Sequence, residues 1–138
     1  MLDKALHNAV LAVSAEDIKT VKDTLSASDS TYIVEIDGAH IQSWEDFISE
    51  MQSKFKFPTP CFDSVDRYLD WMRDLAWLSK DSYSLIITNY GLFMKNAPEL
   101  KQQIISDFAE VILPFWEEEV VNTIVGGKAK IFILYLAE

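Results

Sequence analysis

The chain has a single cysteine, Cys61, among 138 residues. One cysteine excludes an internal disulfide and suits a reducing cytosol. No apolar run reaches the roughly 18–20 residues that a membrane-spanning helix needs. The start, Met1-Leu2-Asp3-Lys4, lacks the basic region and apolar run of a signal peptide, so the expected location is cytoplasmic. Positive charge is also scarce. Lys and Arg number 12 against 22 Asp and Glu, a formal net charge of −10. That balance repels nucleic acid and anionic membranes, and it attracts basic partners and speeds their association. Simple solubility is the competing meaning of the same surplus.

The usual chemical signatures are missing too. No Walker or Rossmann glycine motif is present, and Gly126-Gly127 does not make one. The two histidines, His7 and His40, lie far apart, and His40 reads as a solvated turn residue. Cys61 follows Pro60 with no evident base, so it reads as a buried thiol, not a nucleophile. The residues make no positive case for an enzyme, and neither a metal nor a cofactor is expected.

What is present suffices for a core. About half the residues are hydrophobic, and four Trp, five Tyr and eight Phe are generous for this length. One domain can be stabilised without disulfides, with aromatic surface left for contacts. Residues 1–138 therefore read as a single domain.

The periodicity alternates between strand and helix. Val10 to Val13 is a strand or the end of a preceding helix, and its β-branched run ending at a cap favours strand. Ser14 caps a helix from Ala15 to about Leu25, with Asp17 three residues on. Tyr32 to Ile36 reads as a strand stopped by Asp37-Gly38. Ser43 caps a helix carrying Trp44, Phe47, Ile48 and Met51. Phe57-Pro58-Thr59-Pro60 cannot be helical. Helix is expected again from Asp63 or Ser64 to about Leu78. Ser84 to Thr88 reads as a strand covered on both faces. Pro98 suits the first turn of a long helix to about Asn122, which Pro114 should kink or restart. Ile131 to Leu136 is a last buried strand. The expected class is α/β: three layers around a parallel sheet of three strands, with residues 10–14 as a candidate fourth.

One helix stands out. At 100° per residue, Asp63, Asp66, Asp70 and Asp74 fall in a sector of roughly 80°. Val65, Tyr68, Leu69, Met72, Leu75 and Ala76 fall opposite, as a core face. Trp77 lands beside the stripe, where helix geometry would expose it. Like charges at these spacings destabilise a helix by roughly 0.2–0.5 kcal/mol per pair, which Arg67 and Arg73 can partly offset. The stripe is a solvated helix face, or an acidic docking surface with an aromatic anchor. A divalent-metal site fits poorly without a loop to wrap the ion.

These residues carry a resemblance. Ile36-Asp37-Gly38, Ile41, a helix, Phe57-Pro58, and then Asp66, Leu69, Asp70, Met72, Asp74, Leu75 and Trp77 resemble the barstar family. The likeness covers roughly Tyr32 to Leu136, with residues 1–30 as an N-terminal extension packed on the domain. The family comprises intracellular ribonuclease inhibitors and immunity proteins against bacterial toxins. The resemblance implies that the second helix of the family pattern and the loop before it bind the partner. The candidate contacts are Asp63, Ser64, Asp66, Leu69, Asp70, Asp74 and Trp77, with Glu110 a candidate for a further acidic contact. Asp70 matches the central aspartate that would enter a ribonuclease's phosphate site. Pro60 and Cys61 stand where the family usually has aromatics, Phe62 where it has glycine, Ser64 where it has asparagine, and Leu69 where tryptophan is frequent. The implied partner is a basic ribonuclease or nuclease toxin. The chain would be monomeric when free and would contact neither nucleic acid nor membrane. A regulatory or scaffold module that kept the fold is the alternative.

Overall fold

The computed structural model describes residues 9–27, 29–61, 63–80, 82–115 and 131–138. Four strands alternate with helices: β1 (Ala9–Val13), α1 (Ala15–Ser26), β2 (Thr31–Asp37), α2 (Trp44–Lys54), α3 (Val65–Met72), β3 (Ser82–Thr88), α4 (Pro98–Asp107) and β4 (Ile131–Ala137). The strands form one sheet in the order β1-β4-β3-β2, and every neighbouring pair is parallel. Residues 9–13 are thus a strand and not a helix end, which settles that alternative.

The layers follow from the order of connections. The chain crosses the sheet from β1 to β2 at the far edge, then returns through β3 to β4. Right-handed crossovers running in opposite directions across a sheet place their helices on opposite faces. Accordingly α1 packs Ile18, Val21 and Leu25 on Ile33, Ile86, Ile133 and Tyr135. The other face, Val34, Ile36, Leu85, Ile87, Phe132 and Leu134, carries Phe47, Ile48 and Met51 of α2, Tyr68 and Met72 of α3, and Ile104 of α4. Phe132 lies at its centre, stacked on Phe55 and Tyr83 and tilted on Phe108. Burying a side chain of this kind contributes about 1.5–3 kcal/mol.

Local chemistry sets the boundaries. Ser14, Ser43 and Ser64 each accept a hydrogen bond from the backbone N–H three residues on, capping α1, α2 and α3. Pro98 occupies the first turn of α4. After Asp107 the helix widens into a π turn, Phe108–Ile112, and Leu113 N–H donates to Phe108 O. Pro114 has no N–H and its ring crowds the carbonyl four residues back, so the widening falls where the α pattern could not continue. The rest of the expected helix, beyond residue 115, lies outside the described residues, as does Gly126-Gly127. At the end of β2, Gly38 is tightly enclosed. A Cβ there would stand 2.8 Å from Thr88 O, Asn89 O and Phe93 Cβ.

One expected helix is shorter than its periodicity. The helix read as reaching Leu78 stops at Met72, and a separate 3-10 turn spans Ala76–Leu78. Leu75 takes a left-handed conformation, φ 52°, although it is not glycine. Its side chain is fully buried, and its carbonyl accepts a hydrogen bond from Tyr83 Oη of β3 at 3.2 Å. Burial and that bond hold a conformation that costs roughly 1–3 kcal/mol in isolation.

Candidate functional site

The eight residues of α3 divide cleanly. Tyr68 and Met72 are fully buried, whereas Asp66 and Asp70 are exposed. Val65, expected on the core face, is exposed because it starts the helix and overhangs the core edge. Ala76, expected there too, is exposed because the helix has ended before it. Leu69 is half-buried against the core.

The four aspartates differ in what they do. Asp63 and Asp66 are exposed and make no hydrogen bond or ion pair among the described residues. Asp70 pairs with Arg73, Nη2 to Oδ1 at 2.7 Å. Asp74 lies past the helix, where its Oδ1 accepts the N–H of Ala76 at 3.2 Å and closes the turn. The continuous helical stripe is therefore corrected to two aspartates on α3 with one before it and one after it. Ser64 is occupied as the N-cap, its Oγ accepting from Arg67 N–H at 3.1 Å. The Arg67 guanidinium turns away from the aspartates to Pro60 O at 3.2 Å.

Trp77 is not the exposed residue that helix geometry implied. It is half-buried, and its indole N–H donates to Phe55 O at 2.9 Å. Its ring meets Trp71 and Phe57 edge-on. The physical reason is the early end of α3: Trp77 sits on the 3-10 turn, where it pins that turn to the loop after α2. Glu110 is exposed on the π turn that packs against α3, and no bond joins it to the aspartates among the described residues.

The loop before α3 is anchored from inside. Cys61 is buried, its N–H donates to Gln52 Oε1 and its carbonyl accepts from Ser64 N–H. Burial pushes its thiol above the ordinary value, against a smaller opposing effect of Arg67. A thiol held protonated is a poor nucleophile, in line with its reading as a packing residue. Tyr68 lies under the helix, edge-on to Trp44 and Phe47, and its hydroxyl has no hydrogen-bond partner among the described residues. Burial, and secondarily Asp107 and Cys61, raise its phenol well above the usual range. His40 is solvent-exposed in the turn after β2, as expected. A nearby cleft of about 400 Å³ holds Asp37, but that carboxylate is committed to Asn89 and Ala39 N–H groups that close the turn.

A family model described as barstar (barnase inhibitor) matches residues 31–125. The chain belongs to the barstar family. No curated protein and no solved structure gives a significant match. The barstar family is a family of ribonuclease inhibitors, and the matched residues span β2 through α4 and the loop before α3. The four-stranded parallel α/β sheet agrees with that membership. Strand β1 and helix α1 lie before the matched segment, yet β1 pairs with β4 and α1 covers one face of the sheet. Among the described residues, no helix is long and apolar enough to cross a membrane.

Sequence reasoning identified the acidic residues and named Arg67 and Arg73 as the arginines that offset them, and the structure pairs Asp70 with Arg73. The signal was spacing, since Asp70 and Arg73 are three apart on a helix, the spacing at which side chains meet. It could not show that Arg67, equally close in sequence, would be drawn off by Pro60 O.

Proposed function

We propose that this barstar-family protein binds a basic ribonuclease or related nuclease toxin and blocks its active site with α3 and the preceding loop. The carrying observation is that α3 buries one side in the core and presents Asp66 and Asp70 to solvent on the other, within a segment matched by the family model. Carboxylates satisfy the same Arg and Lys donors as substrate phosphates, so an acidic helix can occupy a phosphate site. The rigid backing matters, because a helix held by Tyr68 and Met72 loses little freedom on binding. Asp63, Asp74 and Leu69 would border the contact and Glu110 would add a peripheral charge. Ser64 and Trp77 would contribute mainly by holding the helix start and the turn. The net charge of −10 would steer a basic partner and make association fall with salt. The chain would act as a cytoplasmic monomer, consistent with one buried cysteine.

Titration calorimetry and ribonuclease assays with barnase, and with a basic nuclease encoded beside this gene, test the reading. Losing one partner of a buried charge pair costs about 2–5 kcal/mol, a range partly measured on nuclease–inhibitor complexes of this family and not on this chain. Asp70→Ala should weaken binding on that scale, and Asp23→Ala on α1 should leave it nearly unchanged. Equal affinities for the two variants would show that α3 is only a solvated face. Binding without loss of nuclease activity would favour a scaffold or regulatory module.

A further inference from the structure

The acidic surface carries its own cation. Arg73, the C-cap of α3, donates through Nε to Leu69 O at 3.2 Å and through Nη2 to Asp70 Oδ1 at 2.7 Å. Its guanidinium carbon also stands 5.7 Å from the centre of the Phe115 ring. The side chain is 33% exposed, against 69% for Asp70. Arg73 is thus held from three directions, while Asp70 is the freer member of the pair. Asp63 and Asp66 have no such partner among the described residues.

We propose that Arg73 is a specificity-determining residue: a fixed counter-ion that lowers the value of Asp70 to any isolated cation. The inference rests on the reading of α3 as the binding face. A guanidinium already on Oδ1 repels a second cation brought to the same carboxylate, and it cancels most of the charge that would attract one. The other oxygen of Asp70 still accepts a directed hydrogen bond, because a carboxylate offers about four lone-pair sites. A partner gains from Asp70 only if it is first positioned by Asp63 and Asp66 and then aims a donor at that oxygen. Adventitious polycations, which offer charge without geometry, gain little. Discrimination of this kind arises from a repulsive element placed within an attractive surface.

The test uses hexa-arginine, a cation without a fixed shape, titrated calorimetrically at low salt against the full chain. In the wild-type background, Asp66→Asn should weaken hexa-arginine binding several-fold, and Asp70→Asn less than about twofold. Arg73→Met, which keeps the stem over Phe115, should tighten binding about twofold, and adding Asp70→Asn should abolish that gain. Lys19→Met on the exposed side of α1 makes the same change in net charge and should give a much smaller gain. An Asp70→Asn effect of equal size in both backgrounds would overturn the proposal, as would equal gains from Arg73→Met and Lys19→Met. If Arg73→Met does not fold by circular dichroism, the wild-type comparison still decides: equal losses from Asp66→Asn and Asp70→Asn overturn it. No nuclease takes part, so a failure to inhibit ribonucleases and a failure of the counter-ion role are read separately.

Discussion

The two sides of α3 are built from the same eight residues and do opposite work. On the inner side, Tyr68 and Met72 have no solvent exposure and touch the core shared with α2 and the sheet. On the outer side, Asp66 and Asp70 stand in water. The inner side holds the helix in place, and the outer side is free to vary because little of the fold depends on it. The same division runs along the helix. Its start, with Asp63 and Asp66, carries uncompensated charge, whereas its end is tied down by Arg73, Leu75 and Trp77. A binding face made this way can change its charge pattern without unfolding its support.

Substitutions can break this contrast. Met72→Ala should cost about 2–5 kcal/mol of stability by leaving a cavity under α3. Urea denaturation with an unchanged midpoint would show that the inner side does not support the helix. Asp70→Ala should do the reverse. Its exposed pair with Arg73 contributes only about 0.3–0.5 kcal/mol to folding, so the melting temperature should hardly move while partner affinity falls. Ser64→Ala removes the cap of α3 and should cost about 1 kcal/mol, measured by the same denaturation.

A small effect is also expected at Tyr68. Its hydroxyl is buried without a partner among the described residues, so Tyr68→Phe should be neutral or slightly stabilising, within about 1 kcal/mol. The pH dependence sharpens this. The phenol and the Cys61 thiol are both raised above their ordinary values of 10.0 and 9.0, mainly by burial. Folding therefore favours the protonated forms. Their contribution is complete below those ordinary values and is lost as pH rises from there toward the folded-state values. Tyr68→Phe should flatten the alkaline limb of the stability curve above pH 10.0, the ordinary tyrosine value. A limb as steep as wild type would mean that the hydroxyl does not titrate against the fold.

Much of this architecture was legible from periodicity. The strands expected at Tyr32 to Ile36, Ser84 to Thr88 and Ile131 to Leu136 are found at Thr31–Asp37, Ser82–Thr88 and Ile131–Ala137. Serine caps and a proline in a first turn marked where α1, α2 and α4 begin, because capping is satisfied within a few residues, and α3 starts one residue after the expected Asp63 or Ser64. The aspartates and the family likeness pointed to α3 for similarly local reasons.

The end of α3 was not legible. Nothing between Arg73 and Ser79 is glycine or proline, and the apolar spacing continues through Leu75 and Ala76. The chain turns there because Leu75 is buried, Tyr83 Oη claims its carbonyl and Trp77 reaches Phe55 O. Those partners come from β3 and from the loop after α2. The amino-acid sequence by itself determined strands β2, β3 and β4, where the helices start to within about a residue or two, and that carboxylates would line one side of α3. Only the tertiary structure decided that β1 would pair with β4 at the sheet edge, that Trp77 would be tucked in, and that Asp70 rather than Asp66 would hold an arginine. The physical reason is range: caps and periodicity act over a few residues, whereas these outcomes depend on groups brought together only once the sheet has assembled.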